Sequence, residues 1–145
     1  MDFPEFFEEN GIHFFAEDVA MPLIDEDRIA DWVRATAAAE NTPVFDINYV
    51  FCSDDYLLKM NIEHLDHDYY TDIITFQLTD KAVHGDLFIS TDRVADNAAE
   101  MGVAFEQELY RVMIHGILHL CGYGDKTDSE ALLMREKEAF YLNLR

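Results

Sequence analysis

Hydrophobic residues recur along the chain with two different periods, and each period predicts one kind of element. In residues 43–52, Phe45, Ile47 and Tyr49 fall on alternate positions, which is typical of a strand with one apolar face. In residues 25–40 the apolar positions follow helical spacing after Asp25, a plausible N-cap. Read with the glycines and capping residues between them, these periods predict the order β-α-β-α-β-β-α-α-α. The predicted strands span 11–18, 43–52, 71–78 and 84–91, and the predicted helices span 25–40, 53–61, 92–102, 105–122 and 127–144.

This order of elements favours an α+β fold. Strands and helices of these lengths form one small, four-stranded mixed sheet with about five helices packed on it. The chain of 145 residues has no internal repeat, and none of its three prolines marks a linker. A chain of this length can bury a core of its own, so we expect residues 1–145 to form a single domain.

Composition indicates a folded protein of the cytoplasm. Half of the residues are hydrophobic, and the two cysteines, Cys52 and Cys121, are too few for a disulfide framework and are expected to be reduced. The first residues are acidic where a signal peptide would be basic. No apolar run approaches the length of a membrane span, so we expect a soluble protein.

The charge restricts the partners. Ten Lys and Arg stand against thirty Asp and Glu, a formal net charge of −20. Such a chain repels polyphosphates and offers few groups for counterion release, which argues against tight binding to naked nucleic acid. Solubility is the plainer meaning of the charge, and it is compatible with a less acidic cleft inside an acidic shell.

Two histidines in the predicted helix 105–122 suggest a metal site. His115 and His119 are four residues apart, so both rings lie on one face, and Gly116 between them is expected to leave that face uncrowded. Gly122 permits a turn that returns Asp125 to the same side. Two imidazoles and one carboxylate leave a fourth position open, as in a catalytic zinc site, although Fe(II), Mn or Ni also suit this set. The alternative is that both histidines are hydrogen-bonded core residues and that Asp125 caps a turn.

One residue within this motif argues against a protease. Zinc proteases of the H-E-x-x-H type carry their general base directly after the first histidine. That position is Gly116 here. A general base would therefore have to come from elsewhere in the chain.

Three motifs together resemble the YbeY family of metal-dependent endoribonucleases, also described as rRNA maturation factors. They are "HGILHLCGY" followed by Asp125, Asn61 with the downstream "TDIITF", and "GDLFIS" with the later "FEQEL". The likeness extends over about residues 10 to 140. It implies a YbeY-like metallohydrolase domain with a zincin-like helix that carries His115 and His119.

The resemblance also implies an activity. It is single-strand-specific, zinc-dependent cleavage of RNA during rRNA processing and ribosome biogenesis, with the small ribosomal subunit as partner and no DNA substrate. The nucleophile would be either a water activated by the metal or the 2′-hydroxyl of the substrate, and the sequence leaves both open.

Two positions depart from the family pattern. Asp125 stands where the family usually has a third histidine, and its oxygen can bind zinc, so we expect an intact site. Leu65 stands where the family usually has an arginine thought to assist with the RNA phosphate. Phosphate binding is then either weaker, or supplied by another cation such as Arg93 or Lys126.

The resemblance suggests that strands 71–78 and 84–91 form the floor of the substrate cleft. Roles in turns and strand packing are the alternative for the polar residues nearby. The candidate cleft residues are Asp72, Thr75, His84 and Arg93.

Other side chains are assigned plainer roles. Residues 63–70 read as a solvated loop, and a second metal site at His64 and His67 is the less favoured interpretation. The Phe and Tyr residues are assigned to the core rather than to a base-stacking platform.

Three functions remain in competition. The first is the endoribonuclease. The second is a ribosome assembly or binding factor with a structural metal, which the acidic charge favours because it suits docking on a basic ribosomal protein. The third is a metal-dependent hydrolase of another, smaller substrate.

Overall fold

The computed structural model describes residues 11–145, and in that part of the chain four strands form one mixed sheet with five helices packed on it. The strands are β1 (Ile12–Ala16), β2 (Val44–Cys52), β3 (Ile73–Gln77) and β4 (Val83–Ser90). The helices are α1 (Glu26–Ala39), α2 (Asp54–Leu65), α3 (Thr91–Met101), α4 (Phe105–Leu120) and α5 (Asp128–Asn143). The predicted α+β class and element order are confirmed.

The sheet places β3 at one end. Its strand order is β1-β2-β4-β3, with β1 and β4 parallel to β2 and β3 antiparallel to β4. Among the described strands β3 pairs only with β4, so its second edge has no strand beside it. Gly85 of β4 permits the close approach of these two strands, because a side chain there would collide with the Phe76 carbonyl.

Local sequence signals fix most of the element ends. The Asp25 side chain accepts a hydrogen bond from the Arg28 amide at the start of α1, and Thr127 and Glu130 form a complete capping box at α5. The exception is α2, which continues to Leu65 and ends with Asp66 in the left-handed conformation. The predicted loop 63–70 therefore begins later than its polar composition suggested.

Helix α4 lies directly on the sheet, and Gly116 explains why it can. A Cβ at Gly116 would collide with the Leu87 side chain and would lie 2.9 Å from the Ile73 Cδ1 atom. The missing side chain therefore faces β3 and β4, not the space between the histidines. The expectation that Gly116 leaves the face of the two histidines uncrowded is corrected: this glycine allows close packing of the helix on the sheet.

Two expectations concern other parts of the chain. Residues 1–10, on which the absence of a signal peptide was argued and where the predicted domain begins, lie outside the described residues. Between residues 11 and 145, every helix is too short or too polar to cross a membrane.

Candidate metal centre and the adjoining cavity

Helix α4 brings two imidazole nitrogens, those of His115 and His119, to one point, which is called the metal point below. His115 and His119 are half-buried and one turn apart, and their Nε2 atoms lie 3.0 Å from each other. The rings are nearly perpendicular. Both Nε2 atoms are therefore directed at the same small volume.

The turn after α4 adds a carboxylate to this point. The helix ends at Leu120, and Gly122, with a φ of 108°, reverses the chain. Asp125 Oδ2 then lies 3.4 Å from His115 Nε2 and 3.3 Å from His119 Nε2. Donors about 2.0–2.1 Å from a tetrahedral zinc ion are separated by roughly 3.3 Å, so these three distances suit such an ion.

The second nitrogen of each ring fixes its orientation. His115 Nδ1 lies 2.6 Å from Glu138 Oε2, and His119 Nδ1 lies 2.8 Å from the Tyr123 carbonyl oxygen. Because a carboxylate and a carbonyl accept hydrogen bonds, the tautomer with the proton on Nδ1 satisfies both contacts, and it directs an Nε2 lone pair at the common point. Two lone pairs and a carboxylate at this spacing repel one another unless a cation lies between them. The donor set therefore fits a divalent metal.

An ion-pair network supports His115 through its Nδ1 atom. Glu138 is buried and also accepts from Arg111 at 3.2 Å, while Arg111 donates two hydrogen bonds of 2.8 Å to buried Glu108. Asp72 lies 3.6 Å from the same guanidinium. The hydrogen bond to Glu108 raises the pKa of Arg111, and burial raises the pKa of Asp72 against the opposing charge of Arg111. Three carboxylates around one guanidinium leave local negative charge beside the metal point.

Sequence reasoning missed this network, although a signal for it existed. Glu138 is four residues after Met134 and three before Tyr141, which puts it on the buried face of α5. A glutamate on the apolar face of a helix requires a buried partner. That partner could have been sought among the histidines and Arg111.

His119 is supported from another side of the fold. The Tyr123 hydroxyl donates to Glu40 at 2.6 Å, and Glu40 also accepts from Lys137 at 3.2 Å and from the Tyr141 hydroxyl. Burial alone would raise the pKa of Glu40, but the hydrogen bonds from Tyr123, Tyr141 and Lys137 together hold it below its usual value. One carboxylate thus ties the end of α1 to α5 and to the turn that carries Asp125.

The metal point opens onto a cavity of about 780 Å³, within the range of small-ligand sites. Five consecutive residues that lead into and begin β3, residues 71–75, line it. Side chains alternate between the two faces of a strand, so a consecutive set indicates that the cavity follows the unpaired edge of β3. This edge, rather than the whole sheet, forms the wall opposite α4.

The predicted cleft residues divide into two groups. Asp72 and Thr75 line the cavity. His84 and Arg93 are not on its lining: His84 packs edge-on against Phe45 at 4.7 Å, and Arg93 donates to Asp54 at 2.7 Å. Strand β4 is also not part of the wall, because it is interior to the sheet and β3 covers it on that side.

Two other positions that the sequence singled out do line the cavity. They are Leu65, which was expected to replace a family arginine, and Lys126. His67 and Tyr69 also line it, although His67 was expected in a solvated loop and the tyrosines in the core.

A helix with two imidazoles, a returning carboxylate and an edge strand along an open cavity together have the form of a metal-dependent hydrolase. The family model described as "Endoribonuclease YbeY" matches residues 16–144. The chain belongs to this family, and the resemblance drawn from its motifs is confirmed.

Individual relatives agree with the family match. The endoribonuclease YbeY of Cytophaga hutchinsonii is 48% identical over 139 residues, which cover 94% of this chain and 97% of that protein. That of Flavobacterium johnsoniae is 48% identical over 125 residues, 86% of this chain and 90% of the relative. A solution structure of a Thermotoga maritima protein is 29% identical with a TM-score of 0.67, and the match covers 91% of this chain and 87% of the other.

Proposed function

We propose that this chain is a single-strand-specific, zinc-dependent endoribonuclease that acts in rRNA maturation. Its enzyme class, a hydrolase acting on RNA phosphodiester bonds, follows from its family. The observation that carries the metal dependence is the convergence of His115 Nε2, His119 Nε2 and Asp125 Oδ2 on one point beside the cavity.

The chain's own residues divide the work of the site. A zinc ion held by the three donors would supply Lewis-acid chemistry, which lowers the pKa of a water and polarises a phosphoryl oxygen. Glu138 and the Tyr123 carbonyl keep both Nε2 lone pairs directed at that point. Asp72 and Thr75 line the cavity, and we assign to them the orientation of the sugar–phosphate chain.

Lys126 is the candidate contact for the substrate phosphate. Among the described cavity residues it alone is a lysine or arginine, and nothing in residues 11–145 forms a hydrogen bond or ion pair with its ammonium group. It directly follows Asp125, so a phosphate near the metal point is within reach of its flexible side chain. We assign to Lys126 the role that Leu65 cannot perform.

The proposal includes a cellular setting. A cytoplasmic protein acting on rRNA would work on the small ribosomal subunit, and the acidic surface suits docking beside a basic ribosomal protein. We also propose that residues 1–145 form a single YbeY-like metallohydrolase domain.

The test measures metal content and RNA cleavage together. We expect the purified chain to hold one zinc ion and to cut single-stranded RNA in preference to duplex. His115→Ala, His119→Ala and Asp125→Ala should each lower the metal content and abolish cleavage, whereas His84→Ala, a histidine outside the cavity, should keep both. Circular dichroism checks that each variant is folded. Cleavage that survives chelation and both α4 histidine substitutions would refute the proposal.

The net charge of −20 favours one second candidate, a ribosome-binding assembly factor whose metal is structural. If this function is right, a folded Asp125→Ala variant should still associate with the small ribosomal subunit. The wild-type protein should then not cleave RNA. The wild-type cleavage assay therefore decides between the two functions.

A further inference from the structure

Two stacked rings in the loop after α2 line the cavity. The rings of His67 and Tyr69 lie 5.1 Å apart with an angle of 20° between their planes, and Tyr69 Oη and His67 Nδ1 are hydrogen-bonded at 2.9 Å. Both residues line the cavity. Tyr69 is still 55% exposed although His67 stacks against its ring, so more than half of the residue remains accessible to a ligand.

Asn61 holds this pair in place. Its side chain is 2% exposed and donates from Nδ2 to the Tyr69 carbonyl at 2.9 Å, while its own carbonyl accepts from the His67 amide at 3.0 Å. A single residue in the second half of α2 thus holds the backbone of both ring-bearing residues. Rings placed in this way lose little conformational freedom when a ligand binds.

Apart from the proposed metal ion, cationic side chains are scarce in the same cavity. Leu65 presents an apolar side chain, Lys126 is the one lysine or arginine on the described lining, and the whole chain carries −20. Proteins that hold single strands combine a basic groove with aromatic rings on which bases stack. Where the basic part is reduced to one side chain, the rings must supply more of the affinity.

The geometry points to a nucleobase-stacking subsite formed by His67 and Tyr69, which receives an unpaired base of the RNA next to the cleaved bond. The subsite rests on the proposed nuclease function and deepens it. A base inside a duplex already has both faces covered by its neighbours, so only an unpaired base can add to the His67–Tyr69 stack. The subsite would thereby favour single strands without reading their sequence.

The first experiment observes stacking directly. Tyr69→Trp places an indole at the cavity, while the natural Trp32 is 5% exposed and out of reach of a base. We expect a short single-stranded oligoribonucleotide to quench the new indole on rapid mixing with metal-loaded protein, before cleavage. An abasic residue at the stacking position should remove the quenching. Tyr70→Trp is the matched control, because Tyr70 is 49% exposed, lies one residue away and is not on the cavity lining.

The second experiment measures the contribution to substrate use. Tyr69→Ala should raise KM for single-stranded RNA between about fivefold and about 150-fold, with little change in kcat. Tyr69→Phe should keep most of the affinity, and Tyr70→Ala should match the wild type.

Two results would overturn the subsite, and they are distinguishable. If the wild type cuts RNA but Tyr69→Ala has an unchanged KM, or the quenching persists with the abasic oligonucleotide, the subsite is wrong and the nuclease stands. If the wild type neither binds nor cuts single-stranded RNA, the proposed function fails and the subsite with it.

Discussion

His115 and His119 each use one ring nitrogen at the metal point and the other on a fixed acceptor, but the two acceptors differ in charge. Glu138 offers His115 a carboxylate at 2.6 Å, whereas Tyr123 offers His119 a neutral carbonyl at 2.8 Å. A charged acceptor makes the imidazole a more basic ligand. His115 should therefore be the stronger ligand of the two, and Glu138 is a positioning residue for it.

For this single residue we predict that Glu138→Gln weakens zinc binding. The amide keeps an acceptor for His115 Nδ1 but removes the charge, so zinc affinity should fall by about 10- to 100-fold. Competition with a chromophoric chelator measures it. Glu136→Gln, an exposed glutamate two residues earlier on α5, is the control that should leave affinity unchanged. An unchanged zinc affinity in a folded Glu138→Gln variant would contradict the positioning role.

Among the elements, helix α4 and the sheet determine where the metal point lies. The helix can carry its histidines over the edge of β3 only because Gly116 lets it sit against Leu87 and Ile73. A larger residue would lift the helix and move both imidazoles with it. The glycine serves the site through packing, at a distance from the donors.

We therefore predict that Gly116→Ala destabilises the fold. Overpacking costs about 1–3 kcal/mol, and the better helix propensity of alanine returns about 1 kcal/mol, which leaves a net loss of about 1 kcal/mol. Urea unfolding measures this loss. Combining it with Leu87→Ala, which makes room, should give a double variant less destabilised than the sum of the two single variants. Simple additivity would show that the contact is not the cause.

The helices and strands could be predicted from the sequence better than the contacts between them. Caps such as Asp25 and Thr127 are local, so α1 and α5 begin where predicted. The two histidines and Asp125 could be proposed from the sequence because helical spacing and a glycine turn are also local signals. Glu138 and the His67–Tyr69 pair were missed because their partners are distant in the chain or depend on how a loop folds back.

For the whole molecule, the excess of acidic groups is the dominant physical property. A net charge of −20 on 145 residues means that the folded state holds many like charges close together. The unfolded chain can separate these charges. Self-repulsion therefore favours unfolding wherever salt does not screen it.

Stability should accordingly rise with salt. The Debye length falls from about 30 Å at 0.01 M to about 3 Å at 1 M, so the urea midpoint should increase over this range. Urea is the suitable denaturant because it is uncharged. Potassium and sodium chloride should act alike, since screening depends on ionic strength. A midpoint that stays constant or falls would show that the charges are already compensated locally.

The unpaired edge of β3 gives part of the cavity wall an unusual resistance to mutation. Any ligand that hydrogen-bonds to that edge uses main-chain N–H and C=O groups, which every amino acid supplies alike. Exchanging side chains along Ile73–Gln77 alters packing but cannot delete those groups. Proline alone removes an amide proton. An alanine scan of β3 would leave this part of recognition intact, and a proline scan is the means of detecting it.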